Sequence, residues 1–164
     1  MAYAPVVSVS VSVRPNEVRQ PIEGFGFLVP RASGLRLLGG LFMSSLFPDR
    51  APEGRALLTC LLGGVRWPEA VDEPDDVLVA RLGKDLEVTL GLRGGFDLLS
   101  LSRWPRAVAQ PSRRHQELVA DVRKEVARVG GLAVAGGWLD GVSIADTVSS
   151  GVRAASMIAA GLGR

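Results

Sequence analysis

Three glycines, with the helix start beside them, carry the clearest chemical signal in this chain. Gly136, Gly137 and Gly141 sit in LAVAGGWLDGVSIADTVSS, between a short apolar run and an amphipathic stretch. Without a Cβ, each lets the backbone come close to a ligand, and a helix starting just after them turns its first N–H groups toward whatever lies above the turn. That is a nucleotide-facing arrangement.

The other side chains with chemical potential are few. Trp104 stands in Arg103-Trp104-Pro105, where a core plug and a ligand-facing ring are both open readings. His115 is the only histidine, placed at a helix start as a capping or surface group, and no Ser-His-Asp set forms around it. One cysteine and one histidine supply too few nitrogen and sulfur ligands for a metal site. Cys60, in an apolar run, reads as a small buried hydrophobe and excludes an internal disulfide. Asp146 falls in the first turn of the last helix, as a capping or dipole carboxylate.

These residues need a scaffold, and the periodicity describes one. In Val7, Val9, Val11 and Val13, alternating with Ser8, Ser10 and Ser12, strict period two predicts a strand with one buried face, ended at Arg14-Pro15-Asn16. Gly26–Val29, Leu37–Met43 and Ala56–Leu62 come next as strands, separated by Pro30, Gly34 and Phe47-Pro48-Asp49-Arg50. Three in succession predict an antiparallel meander. From Pro74 to Leu90 the spacing turns helical, with Val79, Leu82, Leu86 and Leu90 on one face and Asp75 and Asp76 in the first turn. A strand over Phe96–Leu101 precedes a helix over His115–Val129, with Leu118, Val122, Val126 and Val129 inward. The strand Leu132–Ala135 and a last helix, with Val148, Val152, Ala155, Ala159 and Leu162 in register, complete the order.

Composition bounds what such a scaffold can do. With 164 residues, 47% of them apolar, the chain can bury one domain-sized core, and 20 glycines with 10 prolines argue against a helical bundle. The net charge of +2 and the interspersed signs exclude a nucleic-acid stripe; Arg103, Arg106, Arg113 and Arg114 read as a solvated or phosphate-facing edge. Apolar runs such as Ala56–Val65 are too short to span a bilayer. No basic n-region precedes the Val-Ser alternation, so a cytoplasmic chain is expected, with peripheral membrane association left open.

The segments YAPVVSVSV, GFGFLVP, LFPDRAP, LLTCLLGGVRWPE, RWPRAVAQ and GLAVAGGWLDGVSIADTVSSGVRAA resemble, in that order, the C-terminal third of the protoporphyrinogen oxidase family, within the FAD-dependent amine oxidase superfamily. The resemblance implies a mixed α/β (α+β) fold: mainly antiparallel strands of a substrate domain with one helix over residues 1–105, then residues 106–164 as a helix plus the closing strand–turn–helix of an FAD domain. It implies FAD as cofactor, with Trp104, Gly136, Gly137, Gly141, Val142, Ser143 and Ile144 beside it, and Leu41, Phe42 and Met43 toward a porphyrinogen cavity. RAVAQP departs from the family's I-P-Q-Y at Ala109 and Pro111, and Gly137 stands where the family carries a polar residue. The family's G-x-G-x-x-G motif does not occur in these residues, so the chain is expected to be a fragment or one half of a split protein, inactive alone, with an N-terminal half or a second copy as its partner. No acid or base is assigned. Two other readings remain open: another amine-oxidase-like flavoprotein, and a non-enzymatic fragment.

Overall fold

The computed structural model describes residues 2–162. They divide into two compact units, one of Tyr3–Val108 and one built on the residues from Ala109 onward. The first is organised by strand β1, Ala2–Val13. From Val6 to Val13 its even and odd positions go to opposite faces of the sheet. Val7, Val9 and Val11 are 0% exposed, and they lie opposite Leu62, Cys60 and Leu58 of the antiparallel strand β4, Ala56–Gly63. Strand β2, Gly26–Leu28, and strand β3, Leu37–Phe42, pair antiparallel with each other, and β3 pairs with β4, so the expected meander is present. A one-turn helix α1, Met43–Leu46, links β3 toward β4.

The fifth strand is longer than its sequence pattern. Strand β5 runs Asp97–Gln110, continuing through Arg103-Trp104-Pro105, whereas the pattern ends at Leu101. The sheet order β2-β3-β4-β1-β5 puts it at an edge. An edge strand tolerates a proline because one side of its backbone needs no ladder partner.

Helix α2, Asp75–Leu90, covers the valine face. Leu78, Leu82 and Leu86 are fully buried and Leu90 nearly so; Val79, expected on this face, is only half-buried and Leu78 takes its place. Asp75 and Asp76 lie in the first turn, and Arg103 donates to Asp75 at 2.6 Å. Burial pushes the Cys60 thiol up to about 12, which leaves it a packing atom and not a nucleophile. In GFGF, Phe25 is 70% exposed, while the Phe27 ring packs over Gly40 and meets Phe42 at 5.8 Å between centroids. A Cβ at Gly40 would sit 2.8 Å from that ring, and one at Gly26 would run into the Gly40 carbonyl. The two glycine-bearing motifs therefore require each other.

The second unit contains helix α3, His115–Val129; a one-turn helix α4, Gly137–Asp140; and helix α5, Ile144–Leu162. Two expectations fail here and a third, the inward face of α3, holds only in part. Leu132–Ala135 is not a strand: no strand among the described residues pairs with it, and extended backbone becomes a strand only through a ladder. On α5 the expected inward face is outward, with Val148 60% and Val152 61% exposed, and Ala155 and Ala159 exposed as well. Ser150 is the buried residue, with Ala154 and Ile158 half-buried, because the helix is oriented by a polar contact at Ser150 that hydropathy periodicity does not record. Leu162, also expected inward, has its side chain outside the described residues. On α3, Val119 is buried and Val122 and Val126 half-buried, while Leu118 and Val129 are exposed. No helix among the described residues is long and apolar enough to cross a membrane.

Asp85 fastens α2 to the sheet. Its carboxylate, 1% exposed, accepts the backbone N–H groups of Arg36 at 2.8 Å and Leu37 at 2.7 Å, and Arg81 lies 3.4 Å away. Replacing it strands two donors at the mouth of β3. Asp85→Ala is expected to lower the unfolding free energy by about 2–3 kcal/mol, read from urea denaturation; a midpoint equal to wild type would show that the N–H groups find other partners.

Candidate functional site

Ser8 and Ser10 of β1 mark the face opposite the core; Ser12, farther along the same side, is covered by Arg55, which donates to its hydroxyl at 2.8 Å and pairs with Asp97. Register places Ser8 opposite Leu61 and Ser10 opposite Thr59, while Leu41 of β3 also faces Thr59 and Leu28 of β2 faces Gly39. Ser10 and Thr59 hydroxyls lie 3.5 Å apart. This surface of Ser8, Ser10, Leu28, Leu41, Thr59 and Leu61 carries no charged residue, although 22% of the chain is charged. A sheet face turned only to water ordinarily carries charge; a face of leucines and hydroxyls suits a flat apolar ligand with polar edges.

Trp104 belongs to this face. Its indole Nε1–H donates to Ser8 Oγ at 3.2 Å, and the residue is 55% exposed, so the core-plug reading is set aside. Leu41 is half-buried on the same side, whereas Phe42, at the next position, turns to the core and is 5% exposed. Alternation along a strand cannot place both toward one cavity. Phe42 instead lines an apolar space of about 440 Å³ with Phe27, Leu35 and Leu90, at whose edge Leu28 also contributes. Met43 leaves the strand as the first residue of α1.

The glycine turn lies in the second unit and is described there. Gly136 at φ 131° and Gly141 at φ 142° bracket α4, so the turn is a single helical turn between two glycines in a conformation that other residues avoid. A Cβ at Gly141 would lie 2.6 Å from an Asp146 carboxylate oxygen, and one at Gly137 would lie 3.0 Å from Thr147 Oγ1. Ser143 caps α5: its hydroxyl accepts the Asp146 N–H at 3.0 Å and donates to the Asp146 carboxylate at 2.6 Å. Asp146 is thereby a capping carboxylate. Val142 and Ile144 are 62% and 85% exposed, and the N–H groups entering α5 are the orphan donors of a helix start. The remaining N–H groups of this helix start, beside the Ser143 cap and the Asp146 carboxylate, are the donors that an electron-rich ring edge could meet.

A polar network holds the turn and is not visible in the sequence. Ser150 accepts the Gly136 N–H at 3.0 Å, and Asp140 receives Arg123 at 2.6 Å and Arg153 at 3.0 Å. The Ser150 hydroxyl and Arg153, with Arg123 behind them, hold the Asp140 carboxyl below its usual range. His115 Nε2 lies 2.6 Å from the Trp138 carbonyl, tying α3 to α4. Ser150, the seventh residue of a mostly apolar helix, is the trace this network leaves in the hydropathy pattern.

With this geometry in view, the comparisons are specific. The model of the flavin containing amine oxidoreductase family matches residues 1–159. The chain belongs to that family. It is 32% identical over 159 residues to the mitochondrial protoporphyrinogen oxidase of Nicotiana tabacum, covering 95% of this chain and 32% of the relative. It is 25% identical over 152 residues to the coproporphyrinogen III oxidase of Bacillus subtilis, covering 92% and 32%. This flavin-family chain thus spans about a third of the length of the curated relatives it matches. Among solved structures, a protein from Exiguobacterium sp. 255-15 assigned as a protoporphyrinogen oxidase superposes with a TM-score of 0.76 at 23% identity, over 99% of this chain and 36% of that one. Reduced UDP-galactopyranose mutase superposes with a TM-score of 0.54 at 12% identity, over 85% and 29%. These likenesses show the mixed α/β fold with its antiparallel sheet.

Because its folded pKa is depressed, Asp140 stabilises the second unit above the ordinary carboxylate range, and that contribution is lost as pH falls through the folded value. Acid titration of helical circular dichroism should show a transition below about pH 4, weaker in Asp140→Asn. Superimposable titrations of the two proteins would contradict the network's role.

Proposed function

We propose that this chain forms part of an FAD-dependent enzyme that oxidises a porphyrinogen to a porphyrin. The observation that carries the reading is the charge-free sheet face with Trp104 anchored on it by Ser8. A tetrapyrrole is held chiefly by apolar contact over a broad surface, and the half-buried Leu41 and Leu61 with exposed Leu28 supply such a wall. The names of the relatives, protoporphyrinogen and coproporphyrinogen III oxidases, support the same substrate class.

The residues proposed for the cofactor are Trp104 and the backbone of Gly136, Gly137, Gly141, Val142, Ser143 and Ile144. A bound flavin supplies a hydride acceptor for the porphyrinogen carbon. The chain's own contribution is positional. N–H groups at the start of α5 stabilise negative charge at a ring edge, and Ser143 holds that helix start in place by its cap. Trp104, fixed through its indole N–H, offers a flat surface for ring contact. The Ser8, Ser10 and Thr59 hydroxyls offer hydrogen bonds to a ring otherwise held by leucines. A partner polypeptide carrying an N-terminal half, or a second copy, and a cytoplasmic location with peripheral membrane contact belong to the same proposal.

The cofactor's pyrophosphate needs a glycine turn at a helix start, and G-x-G-x-x-G is absent from the 164 residues. Residues 1–164 alone, mixed with FAD and freed of excess, are therefore expected to show no flavin band in the visible spectrum. Joined to the two thirds of a tobacco relative that they do not match, they should hold flavin and turn protoporphyrinogen into fluorescent protoporphyrin above the spontaneous rate. A chimera that holds flavin and leaves the porphyrinogen at that rate would overturn the proposal.

A further inference from the structure

The Trp104 face ends at an arginine that is paired with no carboxylate among the described residues. Arg106 lies two residues beyond Trp104 on β5, hence on the same side of the sheet, and its guanidinium sits 4.9 Å from the centroid of the Tyr3 ring. Other arginines around this sheet are committed to carboxylates: Arg55 to Asp97, Arg81 to Asp85 and Arg103 to Asp75. Among the described residues, Arg106 pairs with none. The contact with Tyr3 localises the guanidinium at the rim and leaves its N–H donors unpaired with any carboxylate among the described residues. A planar fork of donors matches a carboxylate in two parallel hydrogen bonds. An unpaired fork localised beside a neutral wall is the arrangement that a flat apolar ring with carboxylate side chains requires.

We propose that Arg106, held on Tyr3 at the end of the Trp104 face, binds a carboxylate side chain of the ligand that lies across that face. The inference rests on the porphyrinogen reading and goes beyond it, by naming the residue that recognises the acid groups of the ring and so sets its orientation against Trp104. The ring supplies apolar contact and the carboxylate supplies direction. Arg103, one residue from Trp104 and therefore on the other face, cannot substitute, because it donates to the Glu73 carbonyl and Asp75 at 2.6 Å each.

The test uses the full chain and two probes, protoporphyrin and its dimethyl ester, followed by quenching of tryptophan fluorescence. Trp104→Phe identifies the part of the quenching that arises on this face, since Trp67 and Trp138 also emit. Protoporphyrin is expected to quench Trp104, to bind about tenfold more weakly to Arg106→Ala, and to recover part of the loss in Arg106→Lys. The ester should bind wild type and Arg106→Ala alike. Arg106 is exposed, so thermal melts of the variants should match wild type and exclude a folding effect. Equal affinity of wild type and Arg106→Ala for the free acid would overturn the role of Arg106 while leaving the porphyrinogen reading standing; an equal loss for the ester would reassign the arginine to ring stacking. Absence of any Trp104 quenching in wild type would overturn the porphyrinogen reading and this inference together.

Discussion

The pairing of β1 with β4 is the constraint on which the rest of the sheet unit depends. Across that ladder, Val7, Val9, Val11 and Val13 meet Leu62, Cys60, Leu58 and Ala56 on one side, and Ser8 and Ser10 meet Leu61 and Thr59 on the other. A slip of one residue would exchange the faces, exposing four valines and burying serines without partners. Each valine gains roughly 1.5–3 kcal/mol from burial, so the register is strongly enforced. The same register that builds the core also delivers the hydroxyls, Thr59 and the anchor for Trp104 to the opposite face.

Each face is then finished by a different kind of interaction. The core side is closed by the leucines of α2, and the orientation of that helix is set by one buried carboxylate, Asp85, reaching two backbone donors at the start of β3. The other side is finished sparingly, by one indole hydrogen bond and one guanidinium on a tyrosine ring. A closed core with charge at its boundary and a neutral wall with charge at its ends, Arg55 with Asp97 by Ser12 and Arg106 by Tyr3, are suited to stability and to ligand contact respectively. The second unit has a comparable division: the Asp140–Ser150 network is directed inward, while the capped start of α5 leaves backbone donors exposed.

Period-two alternation, the turn residues and helical spacing are enough to read β1 to β4, α2 and α3 from the residues, because each of those elements buries one face against a neighbour close in sequence or within the same sheet. Where periodicity misleads, the deciding partner is of another kind. Leu132–Ala135 has the composition of a strand, but a strand is defined by the chain beside it. The buried face of α5 departs from its apolar stripe because Ser150 bonds a backbone N–H fourteen residues earlier, a contact that hydropathy does not encode. The resemblance puts Phe42 beside Leu41 on one cavity wall, and alternation separates them.

By itself, the sequence determined the two periodicities, the glycines that permit Gly26 against Gly40 and φ 142° at Gly141, the cap at Ser143, and the family signature spread along the whole chain. Apart from that signature, these features are local, since they depend on residues within a turn or on the absence of a Cβ. Only the tertiary structure decided that Trp104 stands on the serine face, that Arg106 reaches Tyr3, and that Asp85 and Asp140 are the organising carboxylates. Those outcomes rest on pairs separated by up to about a hundred residues, and which polar group meets which is settled by strand register and helix placement before any side chain can form its bond.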